Sequence, residues 1–397
     1  MVGSLIWWAR WFDRIVQNLA MDVNASTTLL GGLSPAAFMQ RHWHKKPLLV
    51  RQAWPGVVAP LPRRALFAMA AQDGVESRLV QRTGAAANAW RVRLGPMPRR
   101  ALPPAARSGW TLLVQGLDLH LPAARTMLER FRFLPDARLD DLMVSWASDG
   151  GGVGPHVDSY DVFLLQVQGR REWRIAAPAS RAEPAWVEGA PLKLLRNFEP
   201  TQAWVLEPGD LLYLPPGWGH DGTAVGGDCM TCSIGFRAPA AGELARELLL
   251  RLSEDEGEGR LYRDPRQPAT AHPGELPAAL VQFAQQALQR HLADPQALPR
   301  ALGEILTEPK PSVWFEASPP GNGASALQLD ARTRMAYDAR HVFINGESFV
   351  AGGRDARLMR VLADARQLSV RERQGLSAGA AELLNEWLGA GWAHEVP

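Results

Sequence analysis

The chain has 397 residues, 46% of them hydrophobic, and a formal net charge of +2. That length exceeds one small core, so two or three domains are expected. The near balance of charge does not describe a nucleic-acid binder working through a dominant basic field, and no apolar run is long enough to span a bilayer.

Only two cysteines are present, Cys229 and Cys232. They argue against a disulfide scaffold and fit a reducing compartment, the cytoplasm. Their C-x-x-C spacing admits a zinc or redox site, but no second pair completes one. The other reading is two buried thiols on opposite faces of a core strand. Most of the fifteen tryptophans are expected in the core.

In chain order, Leu5, Trp8, Phe12, Ile15 and Leu19 recur at helical spacing. This amphipathic stretch reads as an interfacial anchor, a docking helix, or translated upstream sequence before a start at Met21; the last is preferred. Ser34-Pro35 predicts the cap and first residue of a short helix to Trp43. His42 and His44 follow, read as helix-end histidines rather than ligands. Strands are expected at Leu48–Val50, Ser77–Val80, Trp90–Leu94, Trp110–Val114 and Asp140–Trp146, with a helix over Leu121–Phe131.

Next comes Gly150-Gly151-Gly152-Val153-Gly154-Pro155-His156-Val157-Asp158. Strand side chains alternate, so His156 and Asp158 project to one side of an extended segment. His220, after the Pro215-Pro216-Gly217 turn, is placed to complete a 2-His-1-carboxylate set. Such a set covers one face of an octahedral metal and is the usual arrangement for non-haem Fe(II) oxygenases. Val162–Val167 is a buried strand, and Gly169-Arg170 is expected to turn the chain. Beyond it Arg171, Trp173 and Ile175 share the inner face. A buried cation there needs an anion: a bound anionic ligand, or an acid elsewhere in the fold. Glu207-Pro208-Gly209-Asp210 is a type II turn feeding the strand Leu211–Leu214, and Met230–Phe236 is a further strand. Short strands with ligands on two of them predict a jelly roll.

Composition shifts near Pro239. Helices are expected over Gly242–Leu252 and Pro277–Leu292, separated by an exposed charged loop, Glu254 to Arg260. After Pro311, strands at Ser312–Glu316, Met335–Tyr337 and His341–Ile344 and helices at Arg354–Ala363 and Ala378–Ala390 make an α+β module of winged-helix type. Its arginines at 354, 357, 360 and 366 are offset by Asp355 and Asp364, so DNA binding is not expected.

The run Asp141-Leu142-Met143-Val144-Ser145, the glycine-rich stretch through Asp158-Ser159-Tyr160-Asp161-Val162-Phe163, Gly169-Arg170-Arg171-Glu172-Trp173, Tyr213-Leu214-Pro215-Pro216-Gly217 to His220, and Ser233-Ile234-Gly235-Phe236-Arg237-Ala238-Pro239 together resemble the bacterial ribosomal oxygenases of the Jumonji-C/cupin superfamily. The resemblance covers roughly residues 29–240, and the remainder by layout. It implies an Fe(II)- and 2-oxoglutarate-dependent protein hydroxylase with O2 as co-substrate. His156, Asp158 and His220 would be the iron ligands, and Arg171 the partner of the distal 2-oxoglutarate carboxylate. Bacterial members hydroxylate an arginine of a large-subunit ribosomal protein; animal relatives act on histidine and carry Lys in place of Arg171.

The implied fold is mainly β with α: a double-stranded β-helix (jelly-roll/cupin), a helical dimerisation domain and a winged-helix-like α+β domain. The expected boundaries are an extension over 1–28, the catalytic domain over 29–240, the helical domain over 241–310 and the last domain over 311–397. Ser145 and Tyr160 are placed to shape the pocket. Asp149 either pairs with a substrate guanidinium or is a solvated turn residue. Alternative readings are a Jumonji-C hydroxylase or demethylase with another protein target, and a metal-binding cupin scaffold without catalysis.

Overall fold

The computed structural model describes residues 22–178, 184–254, 261–270, 272–317 and 325–396. The helix expected over residues 1–20 and residues 255–260 of the charged loop fall outside them. The chain divides into two units, Met1–Ala238 and Pro239–Pro397, at the shift in composition.

In the first unit Ser34 caps α1 (Pro35–Arg41) by accepting from Ala37 N at 3.1 Å, as its type and position dictate. The strands β1 (Leu48–Val50), β2 (Ser77–Arg82), β3 (Trp90–Leu94), β4 (Trp110–Val114) and β5 (Leu139–Ala147) follow, with α2 (Arg63–Met69) and α3 (Pro122–Glu129) between them. Then come β6 (Val162–Ala176), β7 (Gln202–Leu206), β8 (Leu211–Leu214) and β9 (Gly219–Phe236). They form one antiparallel sheet in the order β1-β8-β6-β9-β5-β4-β2-β3, with β7 also paired to β6.

Alternation sorts each strand between two interiors. Leu79, Trp110, Leu112, Val144 and Trp146 enter the main core beneath α2. Their neighbours Arg78, Val80, Thr111, Leu113, Met143 and Ser145 face a cavity. The type II turn forms as expected: Asp210 N donates to Glu207 O at 2.9 Å and Gly209 has φ +99°.

One expectation is corrected here. Gly169-Arg170 does not turn the chain, and β6 runs unbroken for fifteen residues. Gly169 adopts φ +64° in a bulge, opposite Gly226-Gly227-Asp228 on β9. β9 likewise begins at Gly219, well before Met230. Before the bulge β6 pairs with β8, and after it with β7. The irregularity also changes parity. Val162 and Leu164 face the cavity before it, and Arg171 and Trp173 after it. The bulge therefore turns Arg171 inward.

In the second unit α4 (Ala241–Glu254), α5 (Ala278–His291) and α6 (Ala297–Thr307) precede two small sheets. No helix was expected over α6; Pro299 sits in its first turn, where no intrahelical N–H is lost. Ser312–Glu316 is not a strand: Val313 N turns back to Lys310 O at 2.9 Å. The sheets are β10 (Ala326–Leu329), β14 (Gln367–Leu368) and β15 (Ala393–Val396), and β11 (Met335–Tyr337), β12 (His341–Ile344) and β13 (Glu347–Val350). They share a core of Leu327, Ile344, Leu362, Leu384 and Trp387 with α7 (Gly353–Ala365) and α8 (Ala378–Gly389). α6 packs so closely that a Cβ on Gly303 would meet the Phe343 ring at 2.4 Å. Among the described residues no helix is long and apolar enough to cross a membrane.

Candidate metal centre and active site

The loop after β5 and the start of β9 meet at one bridge. His156 N donates to His220 O at 3.0 Å, and His220 N to His156 O at 2.9 Å. Gly217 N donates to Asp158 O at 2.8 Å, so the two distant pieces of sequence hold each other. The bridge requires close backbone approach. A Cβ on Gly152 would lie 2.5 Å from Gly222 O, which only glycine avoids.

His156, Asp158 and His220 each bring one ligand atom within 4.8 Å of the others. His156 Nε2 is 4.0 Å and His220 Nε2 3.4 Å from the Asp158 carboxylate. The Nδ1 atoms lie 2.9 Å from Gly154 O and 2.9 Å from Trp218 O. A carbonyl only accepts, so Nδ1 carries a proton on each ring, and Nε2 is the atom left to face a metal. Burial, then the neighbouring His220, brings His156 down to about 4, so its imidazole is neutral at pH 7. Burial works against charge on the other two, yet their mutual hydrogen bond prevails. Asp158 is held below the usual carboxylate range and His220 above its ordinary value.

The three side chains line a cavity of about 600 Å3 that also takes in Arg171, Ser145 and Tyr160. Arg171 is 4% exposed. Its Nε donates to Cys229 Sγ at 3.5 Å, its Nη2 has no partner, and Trp173 lies beside it with the ring 5.8 Å away. No carboxylate among the described residues pairs with it, so a buried guanidinium stands ready for an anionic ligand. Two imidazoles, a carboxylate and this cation fit a divalent metal and an acidic co-substrate. Ser145 is buried with Oγ 3.5 Å from Thr231 O. Tyr160 hydrogen-bonds Asp158, and burial with the Asp158 charge pushes its hydroxyl up.

Asp149 is not brought to the cavity. It is exposed, and its carboxylate accepts from Gly226 N at 2.8 Å, which fits the turn-residue reading. His44 and His42 also lie elsewhere. His44 Nε2 is 2.9 Å from the buried Asp161, which accepts from Tyr213 Oη at 2.5 Å, and His42 Nδ1 lies 3.1 Å from Pro47 O. Both cysteines are free and buried. The sequence reading missed Cys229 as a partner of Arg171. It also missed Asp140, Asp141 and Lys193 in the cavity wall. Asp141 was within reach of the period-2 pattern, since it alternates with Met143 and Ser145 on β5.

Comparison with known proteins adds the following. Residues 126–244 match the JmjC domain model and residues 290–394 the ROXA-like winged helix. The ribosomal protein uL16 3-hydroxylase of Escherichia coli is 35% identical over 276 residues, 68% of this chain and 70% of that one. The chain belongs to the ribosomal oxygenases. Among solved structures, that of E. coli YcfD, 28% identical, overlays this ribosomal oxygenase with a TM-score of 0.78 across 90% of this chain and 96% of that one. YcfD in complex with cobalt and 2-oxoglutarate, also 28% identical, gives 0.75 across 91% and 98%. Human ribosomal oxygenase 1 is 31% identical over 211 residues, 48% of this chain and 31% of that protein.

Proposed function

We propose that this ribosomal oxygenase is an Fe(II)- and 2-oxoglutarate-dependent hydroxylase acting on an arginine side chain of a large-subunit ribosomal protein. One observation carries the reading: a three-ligand metal set and an unpaired buried guanidinium share one cavity. His156, Asp158 and His220 would hold the metal and Arg171 the distal carboxylate of 2-oxoglutarate. When bound, iron with 2-oxoglutarate and O2 supplies the power to insert oxygen into a C–H bond.

The protein's own part is placement. Gly154 and Trp218 carbonyls fix both imidazoles in the ligating tautomer. Asp140 and Asp141 in the wall attract a cationic substrate side chain. Ser145 and Tyr160 bound the space it enters. The uL16 substrate in the name of the E. coli relative supports the large-subunit assignment. Exposed Leu249, Leu250, Leu280, Val281 and Leu288 on α4 and α5 support a homodimer, and the two free thiols support a cytoplasmic setting.

The test is mass spectrometry of large-subunit ribosomal protein peptides incubated with the protein, Fe(II), 2-oxoglutarate and O2. Gain of one oxygen atom on one arginine, absent with His156→Ala, is the expected result. Succinate without peptide oxidation would discard the substrate. Neither product, with metal bound, would leave a cupin scaffold.

A further inference from the structure

Positive charge is segregated in this chain. Residues 63–107 hold nine arginines, no lysine and two carboxylates, Asp73 and Glu76, a local net charge of +7 where the whole chain carries +2. The fold gathers several of these arginines onto one face. Arg91 and Arg93 stand on β3, the edge strand, in register with Gln81 and Leu79 of β2. Leu79 points into the main core, so the two arginines continue that side of the sheet beyond its cover. The cover itself is basic. Met97 N donates to Ala70 O at 2.6 Å and Trp110 Nε1 to Pro104 O at 3.2 Å, laying residues 97–107 over α2 and β4. Arg99 stacks above Phe67 at 5.4 Å. Arg91, Arg93, Arg100 and Arg107 are exposed, and no carboxylate among the described residues pairs with them. Arg63, at the margin, is paired with Asp228 at 2.8 Å.

We infer that this face binds RNA through the phosphate backbone, bringing the oxygenase to its substrate beside the RNA that a ribosomal protein contacts. The second clause rests on the function proposed above; RNA binding itself does not. A charged edge strand also guards against strand pairing. That purpose accounts for Arg91 and Arg93 but not for Arg100 and Arg107, which lie on no strand. Arginine to the exclusion of lysine suits bidentate phosphate contact. A cationic protein substrate is repelled by such a face, so the partner of opposite charge is the nucleic acid. The alternate residues of β2, Arg78 and Val80, line the catalytic cavity. The basic face and the cavity are therefore two sides of one sheet edge.

The experiment is fluorescence anisotropy of a labelled single-stranded RNA and an RNA hairpin with the full chain, across a salt series. Four phosphate contacts predict a slope of log affinity on log salt of about −3 for the single strand. The combined variant Arg91→Gln, Arg93→Gln, Arg100→Gln and Arg107→Gln should bind at least ~10-fold more weakly at low salt, with its slope near zero. Its 2-oxoglutarate turnover on free peptide should match the wild type, which also reports that it folds. Absence of salt-dependent binding by the wild type, or unchanged affinity and slope in the variant, would overturn the inference. Peptide turnover by the wild type, measured in parallel, reports on the proposed activity alone.

Discussion

Two N–H groups converge on one buried thiol. Arg171 Nε at 3.5 Å and Gln166 Nε2 at 3.3 Å both donate to Cys229 Sγ, and Gln166 Oε1 is held in turn by Thr231 Oγ1 at 2.8 Å. This chain of contacts sets the direction of the guanidinium. A hydrogen bond to a charged group contributes about 1.5–3 kcal/mol, so Cys229→Ala should raise KM for 2-oxoglutarate about 10-fold. Saturating co-substrate should restore most of kcat, and Cys229→Ser, which keeps an acceptor, should lie between. A fall in kcat with KM unchanged would reject this account. A second residue-scale prediction concerns acid. Asp330 is buried, which disfavours its charge, but hydrogen bonds from Arg332 and His394 prevail and bring it down to about 2. Its folded value lies below its unfolded one, so its stabilisation is complete above about pH 4 and is lost as pH falls towards 2. Asp330→Asn should cost about 2 kcal/mol at pH 7. Faster hydrogen exchange in β10 and β15 at pH 7, with little difference from wild type at pH 2, is the expected result.

The glycine loop and the bulge are the elements that carry the site. A Cβ on Gly152 meets backbone rather than a yielding side chain, so Gly152→Ala must displace the loop that bears His156. Metal affinity should fall about 10–100-fold, read by Co(II) titration, with the far-ultraviolet circular dichroism unchanged. Unaltered affinity would show that the close approach is not what places the ligand. These elements also mark how far the sequence could be read. His156, Asp158 and His220 were legible because period-2 alternation and a Pro-Gly turn are local rules. Arg171 was legible from the apolar company of Trp173 and Ile175. The continuity of β6 was not, because a left-handed glycine serves a turn and a bulge equally well; what decides between them is the partner strand β9, whose pairing is non-local. The roles of Cys229 and of His44 against Asp161 were hidden for the same reason. Each depends on strands far apart in sequence.

At the scale of the whole molecule, the residues of the candidate site fall between Arg78 and Gly235, within the unit that ends at Ala238. The core that supports them runs from Leu29 to Phe236, and the second unit has its own core around Leu362 and Trp387. A domain with its own core folds alone in principle. A chain of residues 22–238 should therefore bind Co(II) with the affinity of the full chain and perturb 2-oxoglutarate in the same way, both read by absorption spectroscopy. What it should lose is self-association, since the exposed leucines of α4 and α5 go with the second unit; light scattering reads this. The two measurements separate chemistry from assembly. Loss of metal binding in a folded fragment would mean that the second unit helps hold the site. Retained self-association would move the proposed dimer contact into the jelly roll.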